Sequence, residues 1–379
     1  PLCNECAHLV RFAKSTDHAS IVGATPWLER EDRGKMTFHA SRGATADCAL
    51  KAAQTAVAAI CFLVAIVSAS VAETPIRVGI IGLDTSHVIR FTELLNADDP
   101  PASMANCRVV AAYPQGSPDI ESSVSRVPKY TAELQEMGVE IVDSIDELID
   151  RVDAVLLETN DGRPHYEQAL PVLRAGKRMF IDKPMAASLA DVIAIFDAAE
   201  EFDVPIFSTS ALRYGAGTLA VHGGSIGDVL GADVYSPCST KPSQPDFFLY
   251  GIHGVEALFT VMGTGCRQVV RVHTPNQDVA IGVWAGDRVG TFRGMRVGAQ
   301  QYGGVAYGTK GNLAVGSYRG YEPLVEDIVR FFRGGEPPVS TEETIEIFAF
   351  MEAADLSKQR GGAPVDVVDL IENTRRDTR

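Results

Sequence analysis

The sequence predicts an α/β chain: a doubly wound parallel sheet followed by an α+β domain with an open, mostly antiparallel sheet. Three observations carry this. Residues 76–208 alternate short apolar runs with helical periodicity, the rhythm of strand–helix–strand units. Beyond Arg213 that rhythm gives way to apolar strands broken by Gly and Asp turns. The 379 residues suit about two domains, and the reading places them at 73–212 and 213–379.

Residues 1–72 are set apart from both. No charge occurs from Ala52 to Ala72, and the run Ala56 to Val67 is apolar throughout. Arg42 and Lys51 precede it, and Ser70-Val71-Ala72 has the small-x-small form of a signal-peptidase site. The expectation is an exported protein cleaved after Ala72, periplasmic or secreted. The alternative is an uncleaved helix that anchors it to a membrane. Met36 stands at a suitable distance before the apolar run, so residues 1–35 read as an over-extended start, and Cys3-x-x-Cys6 finds no metal partners nearby. Cys107, Cys238 and Cys266 remain after cleavage. That is an odd number and excludes a disulfide scaffold.

Ile76–Ile81 is the first buried strand, and Ser86–Asn96 a helix with Val88, Phe91, Leu94 and Leu95 on one face. Arg108–Ala112 and Val139–Val142 are the next strands. Ser144 then opens a short helix, with Glu147 completing a capping box. Ala154–Leu157 is the fourth strand; Pro164 starts the next helix and Gly176 ends it. Met179–Ile181, a helix near 188–202, and Pro205–Ser208 complete the parallel sheet. In the second part, 268–272, 279–283 and 289–292 are antiparallel strands, and two helices near 322–332 and 342–359 close the chain.

The formal charge of −15, from 34 basic and 49 acidic residues, excludes a nucleic-acid binder held by phosphate contacts. With 22% charged and 46% apolar residues the chain can fill a globular core. No repeat or low-complexity stretch is visible. The partner expected is a small molecule, met where the second domain faces the carboxyl ends of the parallel strands.

At the end of the first strand lies Gly82-Leu-Asp84-Thr-Ser-His87. A dinucleotide-binding (Rossmann-type) turn carries Gly-x-Gly-x-x-Gly here, its second glycine letting the backbone approach a pyrophosphate. Asp84 and His87 stand at the second and third glycine positions. A carboxylate about 4 Å from a phosphate costs on the order of 4 kcal/mol at an effective dielectric near 20. Asp84, Thr85 or Ser86 can equally cap the helix, and that helix N-terminus still offers N–H groups to an anion. No acidic residue follows the second strand at Tyr113 to mark a ribose hydroxyl, so NAD and NADP are not separated. Lys183, set by Asp182 and Pro184 at the end of the fifth strand, can hydrogen-bond a substrate hydroxyl. His253 and Glu256 share a helix face ahead of an apolar run that Gly263 ends. His253 is suited to proton transfer, or is simply held by Glu256. As a third possibility, Asp84, His87, His165, His253 and Glu256 could converge on a metal and support lyase or hydrolase chemistry.

These residues resemble the Gfo/Idh/MocA family (glucose–fructose oxidoreductase, inositol dehydrogenase and relatives). The resemblance spans 75–379 and rests on Gly79-Ile-Ile-Gly82, Thr159…His165, Ala175-Gly-Lys…Asp182-Lys183-Pro184, Arg213-Tyr214, Ser225-Ile-Gly-Asp-Val229, Tyr321 to Phe331 and Glu343 to Phe348. It implies a Rossmann domain holding NAD or NADP and hydride transfer at a sugar or polyol carbon, with Lys183 and His253 as the catalytic pair. Gly79, Gly82, Asp84, Thr85, Ser86, Thr159, Asn160, His165, Asp182, Lys183 and Arg213 are the positions it assigns to the cofactor. It also implies a homo-oligomer, paired through the open sheet. The chain departs from the family at Asp84, at His87 and at Leu249, where many members place an Asp four residues before the histidine. Those departures leave open a relative that binds carbohydrate without redox chemistry, or one that cleaves glycosides through a transient oxidation by a retained cofactor.

Overall fold

The computed structural model describes residues 74–241 and 244–378. The proposed signal segment, Met36 and the Cys3/Cys6 pair lie outside these residues. Among the described residues no helix is long and apolar enough to cross a membrane.

Six parallel strands form the first sheet. They are β1 (Ile76–Ile81), β2 (Cys107–Tyr113), β3 (Glu140–Ile141), β4 (Ala154–Leu157), β5 (Arg178–Ile181) and β6 (Ile206–Phe207), in the order β3-β2-β1-β4-β5-β6. Chain order reverses between β1 and β4, which pair through Val78–Ile81 and Ala154–Leu157. This is the switch point at which open α/β sheets bind ligands. Every side chain of β4 is buried, as a sheet covered on both faces requires.

The covering helices are α1 (His87–Leu95), α2 (Glu121–Glu136), α3 (Ile145–Ile149), α4 (His165–Arg174) and α5 (Leu189–Glu201). The sequence reading had no helix at α2. Only Ser123 and Leu134 of its sixteen residues are buried and Pro128 lies inside it, so it lacks the apolar stripe by which helices are recognised. The Ser144 cap formed as expected, its hydroxyl accepting the Glu147 amide at 3.1 Å. Ser188 does the same for α5, accepting from the Asp191 amide at 3.0 Å and donating to its carboxylate at 2.8 Å. Ser188→Ala is expected to cost about 1 kcal/mol, read as a lower urea midpoint at unchanged slope.

The second sheet has seven strands: β7 (Val229–Pro237), β8 (Cys266–His273), β9 (Gln277–Trp284), β10 (Arg288–Met295), β11 (Gly303–Gly308), β12 (Gly311–Val315) and β13 (Val365–Asp366). Their order is β12-β11-β7-β10-β9-β8-β13. The β7–β10 pair is parallel and the rest antiparallel. β7, β11 and β12 escaped the sequence reading because glycines interrupt their alternation. Helices α6 (Ala216–His222) and α7 (Gly251–Met262) lie within this second part. α8 (Glu322–Phe332), α9 (Thr341–Gln359) and α10 (Val367–Asp377) follow, so three helices rather than two close the chain. α8 returns to the first sheet, packing Leu324, Val325, Ile328 and Phe331 into the core that holds Phe180 and Phe207.

Helix α7, which carries His253, is buried on nearly every side. The loop before it is fixed by Arg271, a fully buried guanidinium that pairs with Asp246 at 2.6 Å, Asp278 at 2.9 Å and Asp355. Cys107, Cys238 and Cys266 are buried free thiols.

Candidate functional site

The ends of β1, β4 and β5, the turn at 211–214 and the start of α7 surround a cavity of about 230 Å³. Lys183 and His253 both line it, as do Thr85, Ser86, Asn160 and Asp182. The two nitrogen groups expected to meet therefore face one space. Four tyrosines also line it: Tyr250 and Tyr302 beside the His253 ring, Tyr321 beside His87, and Tyr318 beside Tyr321.

Lys183 is 6% exposed and its Nζ lies 3.5 Å from Asp182 Oδ2. Burial alone would raise the Asp182 carboxyl, but His87 and Lys183 outweigh it and hold the group well below the usual carboxylate range. Burial, with Lys183 and His87 adding to it, pushes the His253 imidazole down to about 3. The ring is therefore neutral at neutral pH, a proton acceptor rather than a cation. Its Nδ1 lies 2.7 Å from Ser210 Oγ. Ser210 also accepts the Leu212 amide at 3.2 Å, so the hydroxyl is fixed from two sides. Glu256 does not hold His253. It is buried against Arg213 at 3.0 Å and Thr209 at 3.1 Å. Leu249, 4% exposed, presents an apolar wall to the cavity.

Several of the positions assigned to a cofactor lie elsewhere. Gly79 sits within β1, and a Cβ there would meet Leu148 at 3.0 Å, so its role is packing against α3. His165 is fully buried, with Nδ1 3.0 Å from the Met185 carbonyl and Nε2 2.7 Å from the Thr159 carbonyl. It braces two loops instead of facing the cavity. Arg213 is taken up by Glu256 and by Glu343 at 2.5 Å. The five-donor metal arrangement is not formed, because Asp84, His165, His253 and Glu256 each have separate partners.

Gly82 has φ +89, and a Cβ there would meet Thr159 Oγ1 at 2.2 Å. The turn after β1 thus presses on the end of β4, and only glycine allows it. Asp84 caps nothing. Its Oδ1 accepts the Asn160 amide at 2.8 Å, tying the turn after β1 to the turn after β4. Its Oδ2 is buried without a hydrogen-bond partner. Burial raises the Asp84 pKa against the opposing hydrogen bond from the Asn160 amide. Ser86 is the residue that caps α1, through no side-chain bond.

Residues 76–209 match the model of the Gfo/Idh/MocA family, an oxidoreductase family with an NAD-binding Rossmann fold. The match covers the first sheet, β1 to β6, and its helices. An uncharacterized oxidoreductase of Streptococcus pneumoniae serotype 4 is 31% identical over 102 residues, 25% of this chain and 28% of that protein. The match thus spans little more than a quarter of the curated relative. Among solved structures, a probable dehydrogenase from Thermotoga maritima superposes with a TM-score of 0.62 at 20% identity, over 77% of this chain and 99% of that one. Myo-inositol 2-dehydrogenase from Lactobacillus plantarum gives 0.62 at 18%, over 77% and 99%. Scyllo-inositol dehydrogenase from Lactobacillus casei, crystallised with NAD(H) and scyllo-inositol, gives 0.60 at 16%, over 78% and 99%. At these identities the superpositions show the fold alone. The family matched by residues 76–209 binds NAD through its Rossmann fold.

The residues of the switch point accept such a cofactor under one condition. Gly82, the exposed Ser86 at the start of α1, and the cations Arg126 and Lys183 on the cavity wall suit an anionic dinucleotide. The Asp84–Asn160 hydrogen bond joins the turns after β1 and β4, at the switch point where such sheets take their ligands. The condition is that a phosphate placed at the turn after β1 meets the Asp84 carboxylate, which must move or be neutral.

Proposed function

We propose that this chain is an NAD(P)-linked oxidoreductase acting on a sugar, polyol or related carbohydrate. The observation that carries the reading is the common cavity of Lys183 and His253, contributed by the two sheets' separate parts of the chain and walled by tyrosines. Tyrosines offer hydroxyl donors and acceptors beside apolar ring faces, the chemistry that matches a polyhydroxylated ring. The nicotinamide, when bound, supplies the hydride acceptor or donor. Thr85, Ser86 and Asn160 would hold it, with Arg126 countering the phosphates.

The protein's own part is proton handling. The Lys183 ammonium donates to the oxygen of the reacting carbinol and stabilises the charge that grows there as its proton leaves. His253, neutral, takes that proton when its Nδ1–H donates to Ser210 Oγ, which leaves Nε2 as the acceptor. Ser210 supplies the orientation that a carboxylate supplies in many relatives, and Leu249 excludes water beside it. The test is native mass spectrometry and fluorescence titration of the full chain with NAD and NADP. A retained dinucleotide, or saturable binding, supports the reading; neither, together with sugar binding indifferent to nucleotide, refutes it.

That last outcome defines a second reading, favoured by Asp84: a crevice that holds carbohydrate while its phosphate crossing stays shut.

A further inference from the structure

Three metal-ligating side chains meet at the floor of the cavity: His87 from the first turn of α1, Glu158 after β4 and Asp182 after β5. His87 Nδ1 lies 2.8 Å from Asp182 Oδ2 and 3.9 Å from Glu158 Oε2. One donor atom from each lies within 4.8 Å of the other two. Glu158 and Asp182 are 0% exposed. All four of their carboxylate oxygens lack a hydrogen-bond partner, and His87 Nδ1, though close to Asp182, is not aligned as a hydrogen bond.

Buried carboxylates are ordinarily hydrogen-bonded or paired, because stripping them of water is costly. Two cations stand beside Asp182, the Lys183 ammonium at 3.5 Å and, when protonated, the His87 imidazole at 2.8 Å, but neither makes a hydrogen bond to the two buried carboxylates. Protons on His87 or Glu158 would balance the charge and still leave most of the four carboxylate oxygens without a partner. A divalent cation would engage a donor from all three residues.

We propose that His87, Glu158 and Asp182 bind a divalent transition-metal ion, Zn²⁺, Mn²⁺ or Fe²⁺, with its open coordination positions facing the cavity. One imidazole nitrogen with two carboxylates is a donor set for these hard-to-borderline ions rather than for soft ones. Three protein ligands with vacant positions is the pattern of a working metal site, not a closed structural one. His87 and Asp182 themselves line the cavity, so the vacant positions open where a hydroxylated ligand would sit. The signal was present in the sequence as His87 in place of a glycine, but its two partners follow strands far apart in the chain and only the parallel sheet aligns them.

This site does not depend on the oxidoreductase reading. The full-length protein, stripped with a chelator, is titrated with Co²⁺ as the spectroscopic probe and then with Zn²⁺. The expected result is one Co²⁺ per chain, with a visible band stronger than that of the hydrated ion and displaced by Zn²⁺. Glu158→Gln and His87→Gln should each weaken binding on the order of 100-fold or more, at least the loss seen when only a supporting partner of a ligand is removed. Mn²⁺ bound to the unmodified chain should show nitrogen hyperfine coupling from the imidazole, which requires no variant to fold. No binding, binding unchanged in both variants, or absence of nitrogen coupling overturns the proposal. NAD titration of the same stripped sample separates the two ideas: Co²⁺ binding without nucleotide binding leaves the metal site standing and removes the cofactor reading.

Discussion

Lys183→Met will lower kcat for carbohydrate oxidation by about 10²–10⁴-fold, the range that a positioned proton-transfer group contributes. The residue is buried at the cavity wall, so the loss should fall on kcat while KM for the carbohydrate moves much less. Methionine also removes a cation beside Asp182, which makes a folding defect a competing explanation. Lys183→Arg answers that: it keeps the charge beside Asp182 but places a planar fork where a compact ammonium stood. Arginine should restore thermal stability and leave turnover depressed. If Lys183→Arg and Lys183→Met both turn over within a few-fold of the unmodified chain, as followed by nicotinamide absorbance, Lys183 has no part in the chemistry.

The parallel sheet was readable because its strands are continuous apolar runs and its caps are local. Ser144 and Ser188 each needed only the residue three positions on. The cavity was readable in its two principal members, since a lysine after one strand and a histidine at a helix start are set by the fold itself. The roles of His165 and Arg213 were not. Each is a polar residue of the right type at the expected position, yet each is consumed by partners that sequence does not reveal: a carbonyl twenty residues away for His165, and Glu343 from α9 for Arg213. Glu158 was overlooked for the opposite reason. It looks like an ordinary strand-end acid until the sheet places it, without a partner, beside Asp182 and His87. α2 was missed because a half-exposed polar helix with an internal proline carries little periodic signal.

Asp84→Gly will tighten NAD binding on the order of tenfold to a hundredfold. The physical reason is the position of the carboxylate. It stands at the second-glycine position of the turn after β1, tied to Asn160, where a dinucleotide backbone would pass, and in its charged form it repels the phosphates by up to about 4 kcal/mol at ~4 Å. Glycine removes both obstacles. Against this stand the lost hydrogen bond, worth about 1 kcal/mol, and the added freedom of a glycine, of similar size, so the net gain is smaller than the repulsion. The pH dependence separates charge from bulk. Burial raises the Asp84 pKa; below that pKa the side chain is neutral, above it anionic. Dinucleotide affinity of the unmodified chain must therefore fall as pH rises through the raised pKa, and the Asp84→Gly chain must lose that dependence. Asp84→Asn keeps the bulk and discards the charge, so it should remove the pH dependence while gaining less affinity than glycine. A fluorescence titration across pH in which all three chains bind NAD alike would show that Asp84 does not guard the crossing, and that the cofactor, if it binds, takes another path past the end of β1.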